Sequence, residues 1–197
     1  MSRPASIVAR VPDRLHLGWG VGTLGASVLL NSFAALQLYY LTEVLGVAIA
    51  TASLVLFAAK IWDWIANPLM GYLSDRTETR WGRRRPYLVL GGLVSGLAFA
   101  LYFSAALTPV SQSLVLVAIT LALVGTGYTI FNVPYMAMPS ELVDDYKDRT
   151  RMISVRVFFI GIGTLIGVST QRLAELLGGD ATGYAHMGLI VGMFVFV

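Results

Sequence analysis

The sequence alternates between long apolar segments and short polar stretches. Five of the apolar segments reach about 20 residues or more, the length of α-helix that crosses a hydrocarbon layer ~30 Å thick. They lie near residues 17–41, 45–73, 87–107, 113–138 and 153–177. A sixth begins near residue 184 and is still apolar at residue 197. We therefore expect an all-α membrane protein of six helices, with the sixth helix truncated.

The basic residues lie at one end of these segments. Eleven of the fourteen Lys and Arg residues fall in the tail 1–16, the loop 74–86 and the loop 139–152. The intervening turns hold no Lys or Arg. Because basic loops stay on the cytoplasmic side, residues 1–16 are predicted to be a cytoplasmic tail. Residues 17–197 then form a bundle in a plasma membrane or a bacterial inner membrane.

Composition agrees with a membrane setting. Hydrophobic residues make up 56% of the 197 residues and charged residues 13%, whereas soluble domains are ~45–50% apolar. The chain has no cysteine, which excludes disulfides and thiolate chemistry. A net charge of +3 gives no reason to expect a nucleic acid partner. The sequence has no phosphate-binding loop, nucleophile elbow or zinc-type histidine pair, so we predict no enzyme activity, no metal site and no bound cofactor.

The second segment carries polar side chains at bilayer depth. Lys60 lies three residues before Asp63, and Asn67 lies four after it, so the three share one helical face. A carboxylate in hydrocarbon is costly and is expected to face a bundle interior or an aqueous cavity. Asp63 is therefore the strongest candidate for a functional residue. The alternative is a Lys60–Asp63 ion pair that only orders the bundle.

Three other segments contain polar or amphipathic candidates. Arg156 stands about one turn inside the fifth segment, where its guanidinium can pair with a carboxylate, bind hydroxyl groups or snorkel to the interface. Asn132 and Tyr135 flank a proline of the fourth segment, which either opens main-chain oxygens to a cavity or only kinks the helix. Tyr39 and Tyr40 end the first segment and are expected to anchor it at the membrane interface.

The loop after the second segment has a specific order of charges. Asp75 is its second residue, and we expect four of its arginines to take part in a cytoplasmic gate: Arg76, Arg80, Arg83 and Arg84. Glu141, in the next cytoplasmic loop, offers a matching carboxylate. These groups predict a latch on the inward side, and the alternative is that the loop only sets the orientation of the chain.

Together these motifs resemble the glycoside-pentoside-hexuronide:cation symporters, the family of melibiose permease within the major facilitator superfamily. The resemblance covers residues 17–197 and rests on these runs: Asp63-x-x-x-Asn67-Pro68-Leu69-Met70-Gly71, Ser74-Asp75-Arg76-Thr77, Arg80-Trp81-Gly82-Arg83-Arg84-Arg85-Pro86, Asn132-Val133-Pro134-Tyr135, Glu141-Leu142, Asp145-Tyr146 and Arg149-Thr150. It implies two six-helix halves, a central cavity and rocking-type alternating access, with this chain as the amino-terminal half.

The resemblance also implies roles for single residues. Asp63 matches a carboxylate of the family's coupling-cation site, and Arg156 matches an arginine near that site and the sugar. Other acids of these sites fall here on neutral residues, namely Ser27, Asn67 and Asn132. Because hard cations prefer several oxygen ligands with negative charge, we favour H⁺ over Na⁺ as the coupling ion. Recognition of galactosides is not implied.

The leading prediction is cation-coupled symport of a sugar or glycoside. The predicted coupling site comprises Lys60, Asp63 and Asn67, and the predicted solute site comprises Ser27, Asn132, Tyr135 and Arg156. The expected partners are the solute, membrane lipids and a carboxy-terminal half of the transporter. Two alternatives stay open. One is transport of another solute, such as a lipid or an organic acid, on the same fold; the other is a membrane scaffold or receptor that does not transport.

Overall fold

The computed structural model describes residues 13–80, 82–108, 110–143 and 145–196. Residues 1–12 of the predicted tail lie outside this part of the chain, and residues 13–16 belong to the first helix. The side chain of Glu141 also lies outside the described part. Its place in the latch therefore stays a prediction.

Six α-helices account for most of the described residues. They are α1 (Asp13–Tyr39), α2 (Ile49–Arg76), α3 (Arg85–Ser104), α4 (Val110–Leu142), α5 (Tyr146–Leu176) and α6 (Ala181–Phe196). A π-helical turn, Tyr40–Val44, extends α1, and a 3-10 turn, Ala105–Leu107, extends α3. The described ranges contain no strand. The predicted all-α class is confirmed.

Five of these helices, α1 to α5, are long and apolar enough to cross a membrane. The apolar part of α6, Ala181–Val195, is shorter. Some helices extend beyond their apolar segments: α5 begins at Tyr146, although its apolar segment begins near residue 153. The added turns contain Lys147, Asp148 and Arg149. Hydropathy marks only the part of a helix that lies within the hydrocarbon layer. It therefore does not predict where a helix ends when polar turns extend beyond that layer.

The helices pair in a pattern that relates the first three to the last three. α1 packs along α5, α2 packs on α4, and α3 lies against both α4 and α6. Exchanging α1, α2 and α3 with α4, α5 and α6 turns the α1–α5 pair into the α4–α2 pair. Such pairing is expected of two three-helix repeats with inverted topology. The two pairs related by this exchange are formed by α1, α2, α4 and α5.

An aromatic cluster holds α1, α3 and α6 together at the end opposite the basic loops. The Phe103 ring lies 4.9–6.3 Å, between centroids, from the rings of Phe33, Tyr40, Phe99, Tyr102 and Tyr184. The Tyr40 hydroxyl donates to the Phe103 main-chain oxygen at 2.8 Å and accepts from the Ala106 main-chain nitrogen at 3.0 Å.

The expectation that Tyr40 anchors the chain at the interface is wrong. Its side chain is fully buried, whereas the preceding Tyr39 is 45% exposed. Neighbouring residues on a helix point in directions about 100° apart, so one tyrosine of the pair faces the bundle. The buried hydroxyl is stable there because both of its hydrogen bonds are made within the protein.

Candidate functional site

Polar side chains from four helices line two small cavities with a common wall. A cavity of about 110 Å³ lies between α1, α2 and α4, and its polar residues include Gln37, Lys60 and Asp63. A cavity of about 100 Å³ lies between α1, α4 and α5, and its polar residues are Thr23, Ser27, Asn31, Tyr128, Asn132, Tyr135 and Arg156. Tyr128 and Leu30 line both. The structure thus brings Asp63 and Arg156 to neighbouring cavities.

The Asp63 carboxylate lies between Lys60 and helix α4. Lys60 Nζ donates to Asp63 Oδ2 at 3.2 Å, and the Lys60 side chain is 63% exposed against 24% for Asp63. The other oxygen, Oδ1, lies so close to Gly125 that a Cβ atom at position 125 would be 2.3 Å from it. The Asn67 amide donates to the main-chain oxygen of Asp63 at 2.7 Å. The carboxylate is therefore paired on one side and pressed against main chain on the other.

Arg156 is a half-buried cation in the second cavity. Its Cζ lies 5.9 Å from the centroid of the Trp19 ring, at a distance where an aromatic face attracts a cation. Its Nε is buried and has no hydrogen-bond partner among the described residues. Leaving a buried donor unpaired costs about 1–3 kcal/mol. Among the described residues, this nitrogen is therefore a buried donor without an acceptor.

Ser27 and Tyr135 line the second cavity, but their hydroxyl groups also hold helices together. Ser27 Oγ donates to the Ile160 main-chain oxygen at 3.0 Å, which joins α1 to α5. The Tyr135 hydroxyl donates to the Trp19 main-chain oxygen and makes a 3.0 Å hydrogen bond with Thr23 Oγ1, which joins α4 to α1. A solute that binds either hydroxyl competes with these contacts.

The arginines of the loop between α2 and α3 differ in their surroundings. Arg84 is buried; its Nη1 donates to the Pro134 main-chain oxygen at 2.9 Å, and its Nη2 lies 3.7 Å from Asp75 Oδ1. The guanidinium of Arg76 lies 4.1 Å above the ring of Tyr72 on its own helix. Arg80 and Arg83 are exposed. Of the predicted latch residues, Arg84 thus reaches α4 and also lies beside Asp75.

Two features of the site involve residues that the sequence reasoning missed. Trp62 Nε1 donates to Thr126 Oγ1 at 2.8 Å, one position away from the Asp63–Gly125 contact. Trp19 stacks on Tyr135 with centroids 5.1 Å apart and faces Arg156. The run of small residues from Gly125 to Gly127 could have predicted a close contact of α4 with another helix, because small residues in an apolar helix let helices approach closely.

A family described as MFS/sugar transport protein matches residues 18–197 of the chain. The chain belongs to this family. Membership confirms the predicted resemblance to melibiose-permease-like symporters of the major facilitator superfamily. The MFS/sugar transport family groups the chain with membrane transport proteins, and its five apolar helices agree with an integral membrane protein.

Several individual proteins that resemble this chain are also named as symporters or transporters. An uncharacterized symporter of Synechocystis is 36% identical over 171 residues, which cover 79% of this chain and 30% of that protein. The inner membrane symporter YicJ of Escherichia coli is 28% identical over 83% of this chain and 36% of its own length. The isoprimeverose transporter of Lactiplantibacillus pentosus is 23% identical over 100% of this chain and 42% of its own length. The chain therefore spans less than half the length of each of these three relatives.

Proposed function

We propose that the chain forms the amino-terminal half of a secondary transporter that couples uptake of a sugar or glycoside to entry of a cation. The observation that carries this proposal is the placement of Asp63 and Arg156 in neighbouring cavities that share Tyr128. Charged side chains at bilayer depth are costly and mark ion and solute pathways. Similarity to an isoprimeverose transporter supports a sugar as the solute.

Asp63 is the coupling group in this proposal. The Lys60 ammonium lies 3.2 Å from the carboxylate, but its side chain is largely exposed, so it can withdraw when a cation takes its place. The negative charge of Asp63 is then balanced by Lys60 when the coupling cation is absent and by the cation when it is bound. This balance limits the electrostatic cost of keeping a carboxylate within the membrane. A proton suits the site better than Na⁺, because Na⁺ needs several oxygen ligands and residue 67 is a neutral amide that bonds to main chain.

Arg156 is the solute-binding cation in this proposal. Its guanidinium N–H groups can donate to a sugar hydroxyl or ring oxygen, and the Asn132 amide in the same cavity can both donate and accept. Sugar hydroxyl groups need both kinds of partner. Ser27 and Tyr135 shape the cavity wall, because their hydroxyls already bond to neighbouring helices.

The basic loops support a cytoplasmic amino terminus. The loop that contains Arg80, Arg83 and Arg84 and the start of α5 with Lys147 lie on the same side of the helices, and clustered positive charge favours the cytoplasmic side. Arg84 and Asp75 then lie at the cytoplasmic end of the pathway. We take these two as the inward gate because Arg84 contacts α4 and lies beside Asp75.

The test uses the complete transporter, reconstituted in vesicles and offered a panel of sugars and glycosides under separate H⁺ and Na⁺ gradients. We expect accumulation of at least one member of the panel under the H⁺ gradient. The substitution Asp63→Asn should abolish accumulation and leave downhill flux, because the neutral amide cannot exchange the coupling proton. Uptake of radiolabelled solute against and along its gradient measures both.

A matched control is Glu175→Gln, which removes an exposed carboxylate at the far end of α5 and should leave accumulation unchanged. If Asp63→Asn concentrates the solute as well as the unmodified protein, Asp63 is not the coupling group. Uptake of no sugar under either gradient contradicts the proposed class of solute.

A further inference from the structure

Two consecutive residues of α2 contact two consecutive residues of α4. The Trp62 indole donates to the Thr126 hydroxyl at 2.8 Å, and Asp63 Oδ1 lies against Gly125. The Thr126 hydroxyl also donates to the Ala122 main-chain oxygen at 2.7 Å. It therefore gives its own proton to α4 and accepts the indole proton from α2. The direction of each hydrogen bond in this contact is fully determined.

The absence of a side chain at Gly125 makes room for the Asp63 carboxylate. A Cβ atom at position 125 would lie 2.3 Å from Asp63 Oδ1 and 3.4 Å from its Cγ. These atoms form the end of a movable side chain and not main chain. A methyl group at position 125 would therefore be accommodated by rotating the carboxylate away, with little strain on the packing of α2 against α4.

The Trp62–Thr126 hydrogen bond sets how α2 is rotated against α4. Side chains at neighbouring positions of a helix are related by a fixed rotation of about 100°. Fixing the indole of Trp62 on α4 therefore also fixes the direction in which the Asp63 side chain leaves the helix. That direction leads to the cavity that Asp63 shares with Lys60 and Tyr128.

We propose that Gly125, Thr126 and Trp62 are positioning residues for the Asp63 carboxylate. They hold it at the cavity wall, beside Lys60, in the orientation that binds the coupling cation. They set the affinity for that cation and leave the folding of the bundle and the binding of the solute largely unaffected. This inference rests on the proposed coupling role of Asp63.

The experiment measures the cation dependence of uptake by the complete transporter with the substitution Gly125→Ala. The H⁺ or Na⁺ concentration that gives half-maximal uptake should rise by roughly tenfold or more, because loss of a group that orients a cation ligand typically costs 10–100-fold in affinity. The KM for the solute, measured by exchange without a cation gradient, should change by less than about twofold. The amount of folded protein should be unchanged.

Two further variants separate positioning from packing. Trp62→Phe keeps an aromatic ring but removes the indole donor. Like Gly125→Ala, it should raise the cation concentration that gives half-maximal uptake. Gly127→Ala is a packing control in the same helix, because a Cβ there would lie 2.5 Å from the main-chain nitrogen of Ser95 in α3. It should reduce the amount of folded protein and leave the cation dependence of the surviving fraction unchanged.

The outcomes distinguish this inference from the proposed function. If Asp63→Asn is uncoupled but Gly125→Ala and Trp62→Phe keep the normal cation dependence, the positioning role is overturned and the proposed function stands. A change of the cation dependence and the solute KM by equal factors also overturns it, since that pattern indicates general distortion. If Asp63→Asn couples normally, both proposals fail.

Discussion

Arg84 donates a hydrogen bond to the main-chain oxygen of Pro134 at 2.9 Å, and this contact ties the loop after α2 to helix α4. The side chain of Arg84 is 9% exposed, whereas that of its ion-pair partner Asp75 is 65% exposed and lies 3.7 Å away. Exposed ion pairs contribute about 0–1 kcal/mol, and hydrogen bonds from charged groups contribute about 1.5–3 kcal/mol. Of these two contacts of Arg84, the buried one with Pro134 is therefore expected to contribute more to stability.

This difference predicts unequal effects of two substitutions in the complete transporter. Arg84→Gln should destabilise the folded protein by roughly 1–3 kcal/mol, because it removes a buried donor from a buried acceptor. It should also raise the labelling of a cysteine introduced at the basic end of the bundle. Asp75→Asn should change the stability and the labelling little. Thermal unfolding in detergent measures the stability, and Arg85→Gln is the control at an exposed neighbouring arginine. Equal effects of the Arg84 and Asp75 substitutions would contradict the assignment.

The contact of α1 with α5 predicts opposite outcomes for two glycines of one helix. A Cβ at Gly163 would lie 2.6 Å from Ser27 Cβ and 3.1 Å from the Leu24 main-chain oxygen, whereas nothing lies within 4 Å of a Cβ at Gly161. Gly163→Ala should therefore cost about 1–3 kcal/mol through overpacking. Gly161→Ala should be neutral or slightly stabilising, because alanine favours the helix.

Both glycine substitutions remove the same main-chain freedom, so the difference between their unfolding temperatures measures the packing cost alone. Tryptophan fluorescence of the detergent-solubilised transporter follows the transition. Equal unfolding temperatures for the two variants would mean that α1 and α5 do not approach as closely as the Ser27–Gly163 contact requires.

Asp180, just before α6, is expected to stabilise the folded protein to an extent that depends on pH. Its Oδ1 accepts hydrogen bonds from Thr182 Oγ1 at 2.7 Å and from the Gly183 main-chain nitrogen at 2.9 Å. These two donors, the hydroxyl first, lower the pKa of Asp180 from its ordinary value of 3.8. Folding lowers the pKa, so the carboxylate stabilises the fold above the unfolded-state pKa. That contribution is lost as the pH falls through the folded-state pKa.

Comparison of the unmodified transporter with Asp180→Ala tests whether the stabilisation by Asp180 is lost as the pH falls. The unmodified protein should unfold at the higher temperature by a constant margin from pH 7 down to about pH 4, and the margin should shrink at lower pH. Asp180→Asn keeps an acceptor oxygen without a titrating group, so its margin over the alanine variant should not shrink. A margin that falls between pH 7 and pH 5 would show that another group titrates.

Part of the site could be predicted because it depends on one helix. Lys60 and Asp63 are three residues apart, and that spacing alone brings their side chains together on any helix. The contact of Asp63 with Gly125 could not be predicted in this way, since it depends on how closely α2 approaches α4. The role of Tyr40 was missed for a similar reason. Whether an amphipathic side chain faces lipid headgroups or the bundle depends on the rotation of its helix.

The amino-acid sequence alone indicates the membrane setting, the number of apolar segments and the charged residues at bilayer depth. These follow from the lipid environment, because an α-helix that crosses hydrocarbon must be long and apolar, and because a charged side chain within hydrocarbon is costly. The three-dimensional packing is needed to show which polar groups meet across helices, such as Arg84 with Pro134 and Trp62 with Thr126. Such contacts form only when two elements distant in sequence lie at the same depth in the membrane and each is rotated so that the two side chains face one another. The hydropathy of the sequence encodes neither the depth nor the rotation.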